Sequence, residues 1–250
     1  DQRIAEAFAA IAADQLAALH EILTIEAGWA AGVIGNGETA ASMLARMERD
    51  LLVLGARPGD QWTRQGEALS QRIADAVREG ATLGTEGLRE TISDIGAAAR
   101  RDAQALADVS TTSAAGQAHA EVARAEGAVA FRWLSLLDSR TTTGCAIRHG
   151  LMYSLDYQPI GHSIPIERPP PRHWGCRSIL APWLRMPRPG DRDGEGTFDS
   201  WLATLSQAEQ DDVLGKGRAD LYRRKVITKA DLVNQRGRVL TLAELRARVD

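Results

Sequence analysis

Two pairs of residues in the middle of the chain have the types and spacing of metal ligands. Three residues separate Cys145 from His149, and two residues separate His173 from Cys176. Zinc is commonly bound by thiolate and imidazole, and each short spacing lets both members of a pair reach one ion from a single turn. The sequence therefore predicts a tetrahedral Zn²⁺ site with a structural role, formed by Cys145, His149, His173 and Cys176.

Two other interpretations of the cysteines stay open. Cys145 and Cys176 are the two cysteines of the chain, and a free cysteine is often simply a small buried apolar residue. In that case His173 bonds a backbone carbonyl. A disulfide is the third interpretation, although disulfides are rare in the reducing cytosol.

An enzymatic role for the same region is the main functional alternative. Asp138 and His173 are residue types that a zinc-dependent hydrolase or nuclease uses. However, the chain lacks the P-C-x-x-C part of the zinc deaminase pattern and the H-E-x-x-H pattern of zincins. It also lacks the Walker A and G-x-S-x-G motifs. We therefore expect no catalytic residues and no enzymatic activity.

The first half of the chain is predicted to be helical. Apolar residues recur at three- and four-residue spacing up to about residue 130, as in Trp62, Leu69, Ile73 and Val77. Alanine fills much of the space between these stripes, which favours helix but buries little area. The sequence predicts an elongated, alanine-rich helical domain over residues 1–115. We expect a hinge in the polar stretch 110–117, and then a helix over about 118–137.

The second half has a different composition. All prolines except Pro58 fall between Pro159 and Pro189, and the helical period is lost. Segments 151–157 and 177–183 are rich in β-forming residues and predict strands of a small sheet. Capping-box patterns begin at Ser206, Thr228 and Thr241 and predict short helices, with a possible edge strand over 238–240. The predicted fold class is α+β, mostly helical, with a small α+β domain and zinc knuckle over residues 116–250.

Positive charge is concentrated in part of this second half. Residues 132–192 hold nine arginines and no lysine against four carboxylates, a local excess of five, whereas the whole chain has a net charge of −3. Such a surface can contact phosphate groups. The candidate nucleic-acid-binding residues are Arg132, Arg140, Arg172 and Arg177.

The N-terminal segment contains two patterns that we interpret structurally. Its most apolar stretch, residues 22–37, is broken by Glu26, Asn36 and several glycines, so we expect no membrane-spanning helix. Residues 35–40 match the G-x-G-x-x-A pattern of dinucleotide-binding folds, but they follow a helical stripe where that motif requires a strand. The end of one helix and the start of the next explain this stretch.

The segment from residue 132 to residue 182 resembles a known family. It contains the strings RWLSLLDSRTTTGCAIRHG and PPPRHWGCRSILAP, which resemble the signature of the phage Mu F-like minor head proteins, the head-morphogenesis family of tailed bacteriophages. The tail, residues 201–233, is similar to the family as well, so the resemblance covers about residues 118–250. The matching positions are Trp133, Asp138, Arg140, Thr141, Cys145, Gly150, Pro171, His173, Cys176 and Arg177.

One position departs from the family pattern. Relatives tend to have Asp or Asn where this chain has His149, so the fourth zinc ligand is left open between His149, Asp138 and water.

The resemblance implies a structural role in the virion. Such proteins lie in the capsid interior or at the portal vertex, and they assist head assembly, DNA packaging or ejection. The partners implied are the phage portal protein, around which several copies would sit, then the major capsid protein and packaged DNA, with no membrane. The protein would be made in the host cytoplasm.

Overall fold

The computed structural model describes residues 2–35, 37, 39–187 and 197–249. Helices cover 61% of the chain, and a small antiparallel sheet has three strands, which confirms the mostly helical α+β class. The chain divides into two units. The first contains the residues up to His119 together with His173–Gly175, and the second contains Ala120–Arg172 and the residues from Cys176 onward.

The first two helices pack against each other within the first unit. These are α1, Gln2–Ile34, and α2, Ala40–Asp50. Gly35 has a positive φ of 60° after the end of α1, and the side chain of Thr39 caps α2 by accepting a hydrogen bond from the backbone N–H of Ser42. The interpretation of residues 35–40 as a helix end and a helix start is therefore confirmed, although Asn36 and Glu38 lie outside the described residues.

Helix α1 corrects one expectation from the sequence. Its segment Ala9–Ile34 has a mean hydropathy of 1.2 and is long and apolar enough to cross a membrane. The expectation that no segment of the chain is apolar enough to span a membrane is therefore wrong as regards length and composition. Buried helices of soluble proteins and signal sequences share the same length and composition, so these two properties do not place α1 in a membrane.

Helix α3, Pro58–Ala125, consists of two arms that meet at Gly84, where the backbone is not helical (φ 70°, ψ 174°). The Nε2 group of Gln65 on the first arm donates to the carbonyl oxygen of Asp102 on the second arm, at 3.1 Å. The guanidinium of Arg72 pairs with the carboxylate of Asp102 at 3.3 Å. The two arms therefore lie side by side. The positive φ at the bend explains why glycine occupies this position.

The second arm of α3 continues through residues 110–117, where the sequence predicted a hinge. The hydroxyl groups in this stretch donate to backbone carbonyls four residues earlier in the same helix, which satisfies them without a break. These hydroxyls belong to Ser110, Thr111, Thr112 and Ser113. The predicted hinge is therefore wrong, whereas the domain boundary between residues 115 and 116 stays a prediction.

The helix predicted over 118–137 is also wrong beyond Ala125. Gly127 has a φ of 82°, which ends the helix, and strand β1 follows at Ala130–Leu134. Aromatic residues alternate with less buried ones along β1, since Phe131 and Trp133 are buried while Arg132 and Leu134 are half-buried. That alternation is typical of a strand with one face in a core.

Strand β1 is the centre of the sheet, whose order is β2–β1–β3. Strand β2 is Met152–Tyr153 and strand β3 is Ile179–Trp183, and both run antiparallel to β1. They lie inside the predicted strand segments 151–157 and 177–183, which are confirmed.

Short helices make up the rest of the second unit. They are α4, Thr143–Ala146; α5, Phe198–Thr204; α6, Gln207–Leu214; α7, Lys216–Arg223; and α8, Leu242–Val249. The capping patterns at Ser206 and Thr241 start α6 and α8, as predicted. The pattern at Thr228 forms its hydrogen bonds to Asp231 but begins a turn instead of a helix, and segment 238–240 makes a single isolated β-bridge instead of a strand.

One apolar core joins the sheet to these helices. Residues from the sheet region and from the tail share this cluster, so the tail completes the core that surrounds α4. Members of the cluster include Trp133, Cys145, Ile147, Tyr153, Phe198, Leu202, Leu214, Leu232, Leu240 and Leu245.

Candidate metal centre

Two chain segments bring the cysteines together. Cys145 lies on α4, and Cys176 lies in the turn that follows the cis peptide bond between Pro170 and Pro171. Their Sγ atoms are 3.8 Å apart, although the two residues are 31 positions apart in the sequence. Both cysteines are buried and they form no disulfide bond with each other, so the disulfide interpretation is not what the structure shows. The convergence that a zinc site requires is observed.

A third candidate ligand lies beside the two thiols. One ligand atom from each of Cys145, His173 and Cys176 lies within 4.8 Å of the others. Two thiolates bound tetrahedrally at about 2.3 Å from one zinc ion are themselves about 3.8 Å apart. The observed Sγ–Sγ distance of 3.8 Å matches this value, so the donor set and its geometry fit a zinc ion.

The backbone fixes which nitrogen of His173 faces a metal. The Nδ1 atom of His173 lies 2.9 Å from the carbonyl oxygen of Trp174. Because a carbonyl can only accept, Nδ1 carries the proton in this contact and Nε2 keeps its lone pair. A ligating histidine in proteins usually donates its other ring N–H in this way. His173 would therefore bind a metal ion through Nε2.

The environment of the thiols favours a metal ion over two free thiolates. The neighbouring Cys176 thiol and burial raise the pKa of Cys145 well above the usual range of a thiol. Two adjacent buried sulfur atoms therefore do not both ionise without a cation between them. The hydroxyls of Ser178 and Thr142 act in the opposite direction as hydrogen-bond partners of Cys145. The thiols therefore stay protonated without a metal, and a bound cation would supply the positive charge that two adjacent thiolates require.

His149 is not brought into this group. Its Nδ1 atom accepts a hydrogen bond from the backbone N–H of Ser135 at 3.0 Å. A neutral imidazole that accepts at Nδ1 carries its proton at Nε2, so neither nitrogen offers a lone pair to a metal. His149 holds the end of β1 near α4 instead, and three of the four predicted ligands converge.

A buried hydrogen-bond network supports the position of Cys145. The indole N–H of Trp133 donates to the hydroxyl of Ser135, which donates to the carbonyl oxygen of Cys145. The hydroxyl of Ser178, two residues after Cys176, lies 3.0 Å from that of Ser135. The network links the two cysteine segments through Ser135 and Ser178. Both serines were missed by the sequence analysis, because a buried serine has no recognisable sequence pattern.

Asp138 is held in a second link between the same segments. Its two carboxylate oxygens accept hydrogen bonds of 2.7 and 2.6 Å from the guanidinium of Arg177. The backbone N–H of Arg140 and the hydroxyl of Thr141 also donate to the carboxylate. The Arg177 bond holds the pKa of Asp138 far below its usual range. Asp138 is thus not a member of the metal group and is engaged as a structural acceptor.

The other predicted motif residues also serve the fold. Trp133 is fully buried, and its carbonyl oxygen accepts the backbone N–H of Gly150, whose φ of 83° favours glycine. Pro171 is buried at the cis peptide bond before the His173 turn. Arg140 contributes a backbone donor to Asp138, while its side chain is exposed.

The four candidate nucleic-acid-binding arginines do not form one exposed surface. The side chain of Arg172 is only 8% exposed and donates to Glu167 and to the carbonyl oxygen of Gly237. Arg132 is half-buried over the ring of Trp183. The side chain of Arg172 is therefore engaged in packing, and Arg177 is paired as described above. Nucleic-acid binding by these four arginines stays a prediction.

Arg148 is a structural residue that the sequence analysis missed. It is fully buried, and its guanidinium donates to the carbonyl oxygens of Gly144, Pro165 and Gly237. Burial, and then the nearby charge of Arg172, lower the pKa of Arg148 to about 10. The position of Arg148 between two apolar stretches does not predict its burial, because most arginines are exposed.

Residues 67–181 match the model of a family of structural proteins in phage head morphogenesis. The description of that family is Phage Mu protein F like protein, and over these residues the chain is phage Mu F-like, which confirms the resemblance seen in the sequence. No curated protein and no solved structure matched the chain.

The extent of the match differs from the expected one. It begins in α3 at residue 67, upstream of residue 118, and ends in β3 at residue 181. The similarity of the tail to the family therefore stays a prediction. The match of residues 67–181 supports a bacteriophage protein that is made in the host and associated with the virion.

Proposed function

We propose that the protein is a non-enzymatic minor head protein of a tailed phage, located at the portal vertex or in the capsid interior, where several copies bind the portal protein. In this position it assists head assembly, DNA packaging or ejection through its contacts. The major capsid protein and packaged DNA are further proposed partners. The family match supports the head-morphogenesis part of the proposal.

The main support for the proposal is that the polar residues of the family-like segment bind one another. Asp138 and Arg177 bind each other, and the Trp133 indole donates to Ser135 inside the core. The hydrogen bonds of these groups lie within the second unit and stabilise its fold. A scaffold needs such fixed internal bonds, whereas a catalytic site needs polar groups directed at a substrate.

We further propose that the chain holds one zinc ion through the Sγ atoms of Cys145 and Cys176 and Nε2 of His173. Bound zinc would supply a cross-link between α4 and the His173 turn and would balance the thiolate charge. Structural zinc contributes directly to folding free energy. The 3.8 Å separation of the two sulfur atoms supports this assignment.

A three-residue ligand set also fits a zinc-dependent hydrolase or nuclease, the alternative in which Asp138 and His173 act on a substrate. The bidentate bond to Arg177 argues against it, because Asp138 would have to break both hydrogen bonds before it could act as a base. If an Asp138→Asn variant lost a metal-dependent hydrolytic activity that the wild-type protein shows, the structural proposal would be wrong.

The direct test of portal association uses purified portal rings from the same phage. We expect the full chain to co-sediment with the rings and to appear as added density on them in electron micrographs. Mass spectrometry of purified virions should detect the chain as well. Rings that sediment unchanged would contradict portal binding, and virions that lack the chain would contradict a structural role in the head.

A further inference from the structure

Helix α1 carries an apolar stripe that stays partly exposed to solvent. The stripe consists of Ile11, Ile25, Trp29 and Val33, whose exposed fractions are 47, 71, 45 and 42%. Residues 25, 29 and 33 follow one another at four-residue spacing, and residue 11 lies about four turns before residue 25. All four therefore share one helical face. Trp29 makes an edge-on ring contact with His119, with centroids 5.3 Å apart.

The stripe is distinct from the face by which α1 packs into its own unit. That buried face carries Leu19, Leu23, Ala27 and Ala30, and α1 packs against α2. The helix therefore satisfies its own packing with one set of apolar residues and exposes a second set. A continuous exposed apolar stripe on a helix marks an interaction surface.

Charge along the helix restricts what can cover the stripe. Residues 4–45 contain no lysine or arginine and five carboxylates. Asp14 lies one turn after Ile11, and Glu21 lies one turn before Ile25, and both are exposed. The edge of the stripe is therefore acidic, and a complementary surface carries basic groups at the corresponding edge.

This charge pattern disfavours three other occupants. Helices that lie on membranes carry lysine and arginine on their polar face, to match anionic lipids, and α1 carries none between residues 4 and 34. A membrane-spanning position would bury Glu21 and Glu26 in the apolar segment Ala9–Ile34. A second copy of the stripe would bring Asp14 and Glu21 close to the same carboxylates, and DNA would repel them too.

We infer that α1 binds, through this stripe, in an apolar groove of another virion protein. Lysine or arginine side chains line the rim of that groove. Such helix-in-groove binding uses anchors at four-residue spacing, as in Ile25, Trp29 and Val33. This inference rests on the proposed function, which supplies the portal protein as the partner to be tested. It assigns the docking element to α1 in the first unit.

The test compares three versions of the full chain for binding to portal rings of the same phage. The stripe variant carries Ile25→Glu and Val33→Glu, two exposed positions that leave the Trp29–His119 contact intact. The matched control carries Leu184→Glu and Met186→Glu, which are exposed apolar residues 69 and 73% accessible in the second unit. Circular dichroism establishes that all three are equally helical before binding is measured.

We expect the stripe variant to bind at least about tenfold more weakly than the wild type, since each lost anchor costs a large part of the binding energy. The control should bind like the wild type. A fourth version, with Asp14→Lys and Glu21→Lys and checked for equal helicity in the same way, should bind more weakly as well. Equal binding by all versions would overturn the inference and leave portal association intact. Failure of the wild-type chain to bind would instead overturn portal association, and this inference with it.

Two further measurements expose the other occupants. If sedimentation of the chain alone showed a dimer that the stripe variant does not form, the partner of the stripe would be a second copy of this chain. If the wild-type chain floated with vesicles of phosphatidylcholine and phosphatidylserine and the stripe variant did not, the stripe would bind a membrane. Either result would overturn the inference.

Discussion

The Sγ atoms of Cys145 and Cys176 lie 3.8 Å apart in the buried core of the second unit. This separation equals the distance between two thiolates on one tetrahedral zinc ion and is almost twice a disulfide bond length of about 2.05 Å. His173, three residues before Cys176, completes the group. The pair links α4 to the turn before β3, so metal binding at the two cysteines affects the stability of the whole second unit.

The ligand set predicts different effects for two histidines of the same region. We expect His173→Gln to weaken zinc binding about tenfold or more, because one of three ligands is lost. His149→Asn should keep its zinc, since His149 accepts a hydrogen bond from Ser135 and lies outside the group. Competition with a chromogenic chelator measures both affinities. Equal loss of zinc in the two variants would contradict this ligand set.

The raised pKa of Cys145 predicts how pH affects the metal-free protein. An unfolded thiol loses its proton near pH 8.5, whereas the folded thiol keeps it to a higher pH. The unfolded state therefore binds fewer protons in this range, and the free energy of unfolding falls as pH rises above about 8.5. Urea unfolding between pH 7 and 10, with chelator present, measures this slope. A Cys145→Ser variant should show a smaller slope, and an identical one would count against the assignment.

The Asp138–Arg177 pair predicts an effect in acid. The pKa of Asp138 is held below its usual range by Arg177, so its carboxylate contributes stability above about pH 3.9 that is lost as pH falls further. Asp138→Asn should therefore melt below the wild type at pH 7, and the difference should shrink toward pH 2. Thermal melts of both proteins, with Arg177→Gln and the double variant, measure the coupling. A difference that does not change with pH would refute the role of the charge.

Arg148 predicts a large loss of stability. Arg148→Met removes the donors to Gly144, Pro165 and Gly237 and leaves buried carbonyls without partners. We expect the free energy of unfolding to fall by about 3 kcal/mol or more, since each unsatisfied buried group costs about 1–3 kcal/mol. Arg140→Met is the matched control, because that side chain is exposed. Similar denaturation midpoints for the two variants would show that Arg148 is not a structural link.

Several features could be predicted from the sequence because their causes are local. The capping boxes at Ser206 and Thr241 depend on residues three positions apart, and both were predicted correctly. The two outer strands follow β-forming composition. The cysteines and His173 were found because their residue types and short spacings are those of zinc ligands.

Other features depend on contacts that spacing does not reveal. Strand β1 follows an alanine-rich helical pattern, and Gly127 alone marks the change from helix to strand. The predicted helix was therefore extended too far, into the strand. Arg148 gains its role from carbonyls at Pro165 and Gly237, which are distant in sequence. His149 has the type of a ligand, but its nitrogen is used by a backbone N–H that only the fold brings near.

The shared core predicts that the family-like segment does not fold without the tail. A chain that ends at residue 187 would lose Phe198, Leu214 and Leu245 from the cluster around Trp133. We expect the second unit of this truncated chain to be digested rapidly by protease, whereas the full chain resists. Equal protection of the segment 130–183 in both proteins would show that the tail is dispensable.

X-ray absorption at the zinc edge tests the central claim most directly. The full chain, expressed with zinc and purified under reducing conditions, should hold one zinc ion per chain with two sulfur ligands at about 2.3 Å and at least one nitrogen ligand at about 2.0 Å. Chelation should lower its melting temperature. A protein that carries no zinc, and melts at the same temperature with and without chelator, would contradict the claim that a metal joins Cys145 to the His173–Cys176 turn.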